Sequence, residues 1–392
     1  MSVGGSTIAA ELDALSPWPD QAPRIGVGER RERIARAEAA LATMGADALL
    51  VTAGPSLRYF TGVSWSPTER LVALLIRAGR DPAMICPAFE KGSLDAELVI
   101  DADVLLWEEH EDPVALVADA AGPSATIALD PLLPFLITER VRALRAVTNG
   151  APVIDGLRRI KSPAELALMR QAMAMTLEVH RRASRILTPG IRASTVKRFI
   201  DDAHRAVGAA GSTFCAVQFG VATAFPHGLP GDQVLEQGQV VLVDTGCLVD
   251  GYHSDLTRTY AFGEVGAEVR ATWDLEHRAQ AAAFAAVRPG ATCESIDAAA
   301  RAVLEEGGLG PGYRLPGLPH RTGHGIGLAI HEPAYLVRGD TTVLAPGMCF
   351  SNEPMIVVPD RYGIRLEDHF HVTDTGAEWF TQPQPSIDAP FG

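Results

Sequence analysis

Five residues in the second half of the chain have the types and the spacing of ligands for two metal ions. They are four acidic residues and one histidine: Asp244, Asp255, His324, Glu353 and Glu367. Carboxylate oxygens and imidazole nitrogens bind divalent cations such as Mn²⁺, Co²⁺ and Zn²⁺. A pair of such ions can generate hydroxide near neutral pH and polarise a carbonyl group, which is the chemistry of a hydrolase.

The two aspartates flank a segment that has the pattern of a β-hairpin. The stretches VVLVD, which ends at Asp244, and DLTRTYAF, which begins at Asp255, both read as strands. Gly246 and Gly251 lie between them and suit a turn. Antiparallel pairing would bring the two carboxylates face to face. Either aspartate taken alone is typical of a turn or capping residue, so the prediction depends on the pair.

The two glutamates form a second pair of the same kind. Glu353 lies in SNEPMIVV and Glu367 in GIRLEDHFHV, which again have the pattern of adjacent strands. A buried carboxylate is costly unless a cation accompanies it. Arg365 is the alternative partner, since a salt bridge would bury a glutamate without any metal.

His324 lies among glycines, and the charges around it indicate two ions. Gly323, Gly325 and Gly327 surround it and allow close approach of the backbone. Four carboxylates would repel strongly at close range, whereas two divalent cations would balance their charge. The ligand set is rich in oxygen and has one imidazole, so we predict Mn, with Co and Zn as alternatives.

The second half of the chain also contains an internal duplication. The segments LTPG, at 187–190, and VRPG, at 287–290, each precede a helical pattern. Further on, VLEQGQVVLVD ends at Asp244 and VLAPGMCFSNE ends at Glu353, each six positions after a glycine. Repeated sequence usually means repeated supersecondary units. A pseudo-twofold relation would place these two acids equivalently around one site.

Length and composition indicate an ordinary globular protein. The chain has 392 residues, of which 47% are hydrophobic and 21% charged, and this length favours two domains. Its formal net charge of -14 argues against nucleic acid or an anionic membrane as a partner. We find no signal-peptide pattern and no membrane span. The five scattered cysteines contain no CxxC pair and are typical of a reducing cytoplasm, which we expect as the location.

The first third of the chain alternates strand and helix patterns and predicts an α/β layer domain. Ser162 and Glu165 form a capping-box pattern that predicts a long helix over 163–187 and a domain boundary just before it. We expect an irregular arm over 1–23 and a loose tail in the last ten residues. The predicted elements of the first domain are helices over 29–44 and 135–147 and strands over 48–53, 71–76, 83–86, 102–107 and 126–130.

From about residue 157 to 384 the chain resembles the pita-bread metallopeptidases, which include methionine aminopeptidase, aminopeptidase P and prolidase. The resemblance is carried by the order Asp, Asp, His, Glu, Glu and by the segments GHGIGLAIHEP, NEPMIV and GIRLED. SLRYFTG, at 56–62, is similar to the creatinase-type amino-terminal domain, which methionine aminopeptidases lack. The resemblance therefore implies an α/β creatinase-type domain, 1–157, and an α+β pita-bread catalytic domain with a pseudo-twofold repeat, 158–392.

The resemblance also implies how the metal ligands are shared. Asp244 would chelate one ion and His324 the other. Asp255 and Glu367 would bridge the two ions, which hold a bridging hydroxide. Glu353 would be a ligand and would handle the proton of that hydroxide.

Four further residues receive substrate or supporting roles from the same resemblance. His227 and His331 would contact the substrate and stabilise the tetrahedral intermediate and the leaving proline nitrogen. Arg365 would support the site beside Glu367 and contact substrate. Some prolidases carry an arginine at the position of Tyr335, so Tyr335 would shape the end of the substrate pocket differently.

Four functions remain open at this point. They are a prolidase that cuts Xaa-Pro dipeptides, an aminopeptidase P that cuts longer peptides, a creatinase or lyase of the same fold, and a non-catalytic binding module. The last two are disfavoured because all five ligand positions are filled and DTG, at 244–246, lacks the extra acid expected of a lyase. The compact spacing from His324 to Glu353 and Glu367 favours prolidase. We therefore expect small Xaa-Pro peptides as substrates. We also expect a homodimer.

Overall fold

The computed structural model describes residues 3–226 and 228–391. They form two compact units: Arg24–Arg158 is one, and the residues before Arg24 belong with those after Arg158 to the other. The predicted first domain, 1–157, therefore differs from the first unit in its opening 23 residues. Within the two described ranges, no helix is long and apolar enough to cross a membrane.

The unit Arg24–Arg158 is built on a mixed six-stranded sheet with the strand order β4-β3-β2-β1-β5-β6. β1 pairs antiparallel with β2 and parallel with β5. The strands β1 and β2 are buried over their full length and are apolar except at their last residues, Thr52 and Arg77, as expected where both faces of a sheet are covered. The elements up to this point of the chain are α1 (Ile8–Asp13), which lies in the other unit, α2 (Val27–Met44), β1 (Ala48–Thr52), α3 (Pro55–Thr61), β2 (Ala73–Arg77), β3 (Arg80–Pro87), α4 (Lys91–Glu97), β4 (Asp103–Trp107), α5 (Pro113–Ala121), β5 (Thr126–Leu129), α6 (Phe135–Leu144), β6 (Ala146–Asn149) and α7 (Ala151–Arg159).

The α/β character of this unit is as predicted, but the end of the predicted helix 135–147 is wrong. Helix α6 ends at Leu144, and residues 146–149 form the strand β6 at the edge of the sheet. The β-branched residues Val147 and Thr148 favour a strand, and pairing with β5 supplies the backbone hydrogen bonds. The sequence patterns also missed helix α7, which spans the predicted boundary.

The second unit contains two larger sheets, with the orders β11-β8-β7 and β13-β12-β14-β17-β18, and the two-stranded ribbons β10-β9 and β15-β16. Long helices precede each larger sheet in the chain. Its elements are α8 (Pro163–Arg185), α9 (Ala193–Ala206), β7 (Phe214–Phe219), β8 (Gln239–Gly246), β9 (Leu248–Val249), β10 (Tyr252–His253), β11 (Leu256–Phe262), α10 (Ala267–Ala286), α11 (Cys293–Glu306), β12 (Gly323–Gly325), β13 (Glu332–Leu336), β14 (Cys349–Asn352), β15 (Met355–Val358), β16 (Tyr362–Arg365), β17 (Asp368–Val372) and β18 (Ala377–Trp379).

Helix α8 begins where the capping box predicts. The hydroxyl of Ser162 accepts a hydrogen bond from the backbone of Glu165, and the Glu165 carboxylate accepts one from the Ser162 backbone. Pro163 occupies the first helical position, where its missing N–H leaves no hydrogen bond unmade. The helix ends at Arg185, two residues before the predicted end.

The predicted internal repeat is confirmed by two equivalent backbone contacts. The residues of the second contact lie 100 and 109 positions after those of the first. Arg192 forms an isolated β-bridge with Val234, and Thr292 forms the equivalent bridge with Val343. Each bridge follows a Pro-Gly pair. The first joins the start of α9 to the segment that leads into β8, and the second joins the start of α11 to the segment that leads into β14. The repeat therefore brings the ends of β8 and β14 to equivalent places in the unit.

Both ends of the chain pack on this unit. In the arm, the buried Glu11 of α1 lies 3.1 Å from a guanidinium nitrogen of Arg182 on α8. The prediction of a loose C-terminal tail is wrong: Gln384 is buried and donates a 2.7 Å hydrogen bond to the carbonyl of Thr259, and Ala261 donates to the carbonyl of Ile387. Because β11 is an edge strand, the tail supplies the covering that such an edge needs.

Candidate metal centre

The predicted antiparallel pairing around the two aspartates is confirmed. β8 pairs with β11, and Asp244 lies opposite Thr257. Asp255 comes two residues before Thr257 and therefore extends from the same face of the chain. Both aspartates contact one cavity, although the register sets them diagonally rather than directly opposite each other.

Glu367 joins this hairpin through Thr257. The backbone N–H of Glu367 donates to the carbonyl of Thr257 at 3.1 Å, and the Thr257 hydroxyl donates to Oε2 of Glu367 at 2.7 Å. Only 2% of the Glu367 side chain is exposed. Its other oxygen, Oε1, has no hydrogen-bond partner among the described residues, and neither has Oδ1 of Asp244. Buried carboxylate oxygens in this condition are suited to a cation.

His324 and Glu353 come from the neighbouring strands β12 and β14. The Nε2 atom of His324 lies 3.2 Å from Oε1 of Glu353 and 3.6 Å from Oδ2 of Asp255. The Nδ1 atom lies 3.0 Å from the carbonyl oxygen of Gly325, a distance at which Nδ1–H donates. That hydrogen bond leaves Nε2 facing the carboxylates, where it holds a proton in the absence of metal and would bind a metal ion once that proton is lost.

The glycines beside His324 are required by the closeness of the neighbouring strands. A Cβ on Gly323 would lie 2.1 Å from the carbonyl oxygen of Ser351, and one on Gly325 would lie 2.5 Å from that of Glu332. Any larger residue would push β12 away from its partners β14 and β13. The sequence pattern was therefore a signal of close strand packing that positions the imidazole.

Arg365 is buried, and its contacts fall on the aspartate hairpin. Its Nη2 donates to Oδ2 of Asp244 at 2.7 Å, and its Nε donates to the hydroxyl of Thr257 at 3.1 Å. The prediction placed Arg365 beside Glu367, and the structure gives it Asp244 as its ion-pair partner. Its guanidinium also contacts the cavity, but its donors are largely committed to the protein.

The acidic members of the cluster differ in their pKa values. Burial, followed by the charge of Asp244, raises the pKa of Asp255 to about 7 against the lowering effect of His324. Burial and the neighbouring carboxylates raise the pKa of Glu367 well above its usual value. Burial also acts to raise the pKa of Glu353, but the hydrogen bond and charge of His324 outweigh it and hold that pKa well below its usual range. The buried carboxylates therefore repel one another, and a divalent cation would reduce that repulsion.

The pKa values of His324 and His331, the two histidines of the block GHGIGLAIH, shift in opposite directions. Burial acts to lower the pKa of His324, yet hydrogen bonds to Asp255 and Glu353 raise it to about 9. Burial and the positive charge of His324 lower the pKa of His331 to about 4. The two rings are in contact, with centroids 4.1 Å apart. His331 is therefore a neutral imidazole next to the candidate ligands, able to donate a hydrogen bond at neutral pH.

A cavity of about 690 Å³ opens onto all five candidate ligands. Its lining includes both apolar and polar side chains, and His331 is among the polar ones. The apolar side chains are Phe214, Pro226, Pro319 and Ile330, and the other polar ones include His320, Arg321 and Arg365. A pocket with both apolar and charged side chains in its lining is suited to a small-molecule substrate.

The residues predicted to contact substrate have three different outcomes. His331 lines the cavity. Tyr335 lies on β13 opposite His324, and its ring is covered by the Arg321 guanidinium, whose carbon is 4.5 Å from the ring centroid. His227 lies outside the described residues.

Three residues of the centre were not foreseen. His369 is fully buried and has ligand atoms within 4.8 Å of those of Asp255, His324 and Glu367. His320 and Arg321 line the cavity just before β12. The available signal was proximity in sequence, since His320 lies four residues before His324 and His369 lies two residues after Glu367.

Comparison with known proteins gives the context of this centre. Residues 167–374 match the model of "Metallopeptidase family M24", and residues 33–160 match that of the "Creatinase/Prolidase N-terminal domain". The chain is 39% identical over 351 residues to the "Probable dipeptidase PepE" of Mycobacterium tuberculosis, covering 88% of this chain and 92% of that protein.

Solved structures with the same fold cover nearly the whole chain. Dipeptidase PepE from Mycobacterium ulcerans is 36% identical with a TM-score of 0.83 and covers 92% of this chain and 97% of its own. A prolidase from Thermococcus sibiricus is 28% identical with a TM-score of 0.82 and covers 90% of this chain and 96% of its own. The creatinase-type first domain and the pita-bread second domain are thereby established.

Proposed function

The chain belongs to metallopeptidase family M24, and from that premise we propose that it hydrolyses the Xaa-Pro bond of dipeptides with two divalent metal ions. The observation that carries the proposal is the meeting of four carboxylates and one imidazole at a single cavity. Such a group is suited to divalent cations because its members otherwise repel one another in a poorly solvated place. The dipeptidase and prolidase names of its relatives support the same reaction class.

The proposed ligand assignment is the one that the family resemblance implies, and the five side chains concerned line one cavity. Asp244 would hold one ion, and His324 would hold the other through Nε2. Asp255 and Glu367 would be ligands of both ions, and Glu353 would be the fifth ligand. When bound, the two ions would lower the pKa of water to near neutrality and polarise the scissile carbonyl.

Glu353 is the proposed acceptor of the proton that the attacking water gives up. Its Oε1 accepts a 3.1 Å hydrogen bond from the hydroxyl of Ser351. Its backbone N–H donates to the carbonyl of Thr322 at 2.8 Å, so the residue is held at both ends. A carboxylate held in this way can accept the proton from the attacking water and pass it on to the departing proline nitrogen.

His331 is the proposed donor to the oxyanion that develops on the scissile carbonyl. It is neutral at physiological pH, it lines the cavity and it is not needed as a ligand. A donor placed where negative charge develops typically contributes a factor of about 10²–10³ in rate. His227 remains a predicted second contact to the substrate.

The proposed recognition of a dipeptide depends on Arg321. A substrate with proline at its C-terminus ends in a carboxylate, and an arginine fork is the usual partner of such a group. Arg365 is committed to Asp244, whereas Arg321 contacts the cavity and rests on the ring of Tyr335. Tyr335 therefore influences the substrate indirectly, by supporting the guanidinium of Arg321. Phe214 offers an aromatic surface for the proline ring.

The test compares substrates on protein loaded with Mn²⁺, Co²⁺ or Zn²⁺. Elemental analysis of the active protein should give two ions per chain, and Ala-Pro should be cut in preference to Ala-Pro-Ala and Ala-Ala. One ion or none in the active protein would overturn the dinuclear assignment. Preference for Ala-Pro-Ala would mean an aminopeptidase P activity, and no hydrolysis by loaded protein would mean a different reaction on the same fold.

A further inference from the structure

His369 is a fully buried histidine in the wall of the candidate metal centre. It lies on β17, paired in register with Ser351 of β14, and it has no measurable exposure to solvent. Its Nε2 is 4.0 Å from Oε1 of Glu367, and its ring centroid is 6.1 Å from that of His324. Its backbone is fixed by two neighbouring strands, so the ring is held in place by the sheet.

The polar atoms of His369 lack the contacts that buried imidazoles normally have. Neither ring nitrogen makes a hydrogen bond of ordinary geometry within the described part of the chain, although the ring has a weaker polar interaction with the backbone of Asp255. His180 and His204 are equally buried, and they behave differently. His180 Nε2 lies 3.0 Å from the carbonyl of Leu256, and both ring nitrogens of His204 contact hydroxyl groups. An unpartnered polar group in such a place normally destabilises the fold.

The position of His369 identifies the partner it lacks. Its ligand atom and those of Asp255, His324 and Glu367 all lie within 4.8 Å of one another. Ligands bound to one ion at about 2.0–2.2 Å can be separated by at most about twice that distance, or about 4.4 Å. A movement of a few tenths of an ångström would therefore allow all four side chains to bind one ion.

We propose that His369 is an additional ligand of the metal ion bound by His324, Asp255 and Glu367. This inference rests on the proposed function, since it assumes that the centre binds metal. It makes the two metal positions unequal: one has two imidazoles, and the position held by Asp244 has only carboxylates. Nitrogen ligands favour Co²⁺ and Zn²⁺ over Mn²⁺, so the imidazole-rich position should select those ions.

Proton NMR of the Co²⁺-loaded protein in water tests the assignment without an activity measurement. Each imidazole bound to Co²⁺ gives a strongly shifted, exchangeable N–H signal, and ¹⁵N-histidine labelling identifies it. The wild type should give two such signals, and His369→Gln and His369→Leu should each give one. His371→Gln, altered two residues further along β17, is the control and should keep both.

Equilibrium dialysis of the same variants provides a second measurement. His369→Gln should bind Co²⁺ at the tighter position at least about tenfold more weakly than wild type. Circular dichroism confirms folding. A wild type with one shifted imidazole signal would overturn the role of His369 even if both variants failed to fold. Retention of both signals and of full Co²⁺ affinity in a folded variant would do the same. A wild type that binds no Co²⁺ would instead overturn the proposed function.

Discussion

The guanidinium of Arg365 donates a 2.7 Å hydrogen bond to Oδ2 of Asp244, and both side chains are at least four-fifths buried. The bond joins β16 to β8 and therefore connects the glutamate half of the centre to the aspartate half. Arg365 is a permanent cation that the protein itself contributes to a group of four carboxylates.

Arg365→Met should lower the free energy of unfolding of the metal-free protein. Breaking a buried ion pair leaves an uncompensated charge and costs about 3–5 kcal/mol. Urea unfolding measures the effect. In the Asp244→Asn background the same substitution should cost less, because Arg365 has already lost its main partner. Equal costs in both backgrounds would show that the pair contributes nothing to stability.

His331→Ala should lower kcat by about 10²–10³ while both metal ions remain bound. The physical reason is that His331 is neutral and lines the cavity but is not among the five proposed ligands. Steady-state kinetics and elemental analysis of one preparation provide the measurement. His324→Ala is the contrast and should lose metal. Loss of metal from the His331 variant would make His331 a ligand.

Arg321→Ala should raise KM for Ala-Pro by about 10- to 100-fold, the range expected when a charged hydrogen bond of about 1.5–3 kcal/mol is lost. Ala-Pro amide lacks the terminal carboxylate and should be affected little. Tyr335→Ala should reproduce part of the effect, whereas Tyr335→Phe, which keeps the ring under the guanidinium, should not. Equal losses on the acid and the amide would remove Arg321 from carboxylate recognition.

Metal affinity should increase as the pH rises from 6 to 9. A bound Asp255 must lose a proton that it holds below about pH 7, and His324 must lose one that it holds below about pH 9. Each proton released makes the affinity rise about tenfold per pH unit below the corresponding pKa. Competition with a chromophoric chelator measures this slope. An affinity that is independent of pH over this range would contradict the assignment of both residues.

The metal-loaded protein should lose stability as the pH falls below 6.5. Burial lowers the pKa of His180 to about 3 and that of His204 to about 4. Between pH 6.5 and 4 the unfolded chain therefore binds more protons than the native one, and each histidine reduces stability by up to about 1.4 kcal/mol per pH unit. Thermal unfolding from pH 7.5 to 4.5 measures the slope. His204→Gln should have a shallower slope below pH 6.5 and an unchanged one above pH 7.

The sequence by itself determined the fold class, the internal repeat and the pairing of strands around the candidate ligands. The repeat and the strand pairing depend on periodicity, capping chemistry and short motifs that are local in the chain, and the pita-bread fold class depends on the resemblance of such motifs to a known family. The capping box at Ser162 and the pairing of β8 with β11 are examples. Residue types and spacing were also enough to select Asp244, Asp255, His324, Glu353 and Glu367.

Only the tertiary structure decided which other side chains surround those five. His369 follows Glu367 by two residues, but its burial and its unpartnered nitrogens arise from strands that are distant in sequence. Arg321 rests on Tyr335 because β12 and β13 pair. The same holds for Arg365, whose partner lies 121 positions away, and for the C-terminal tail, which packs because β11 has an open edge. Contacts of this kind depend on the geometry of packing, which no local pattern in a sequence encodes.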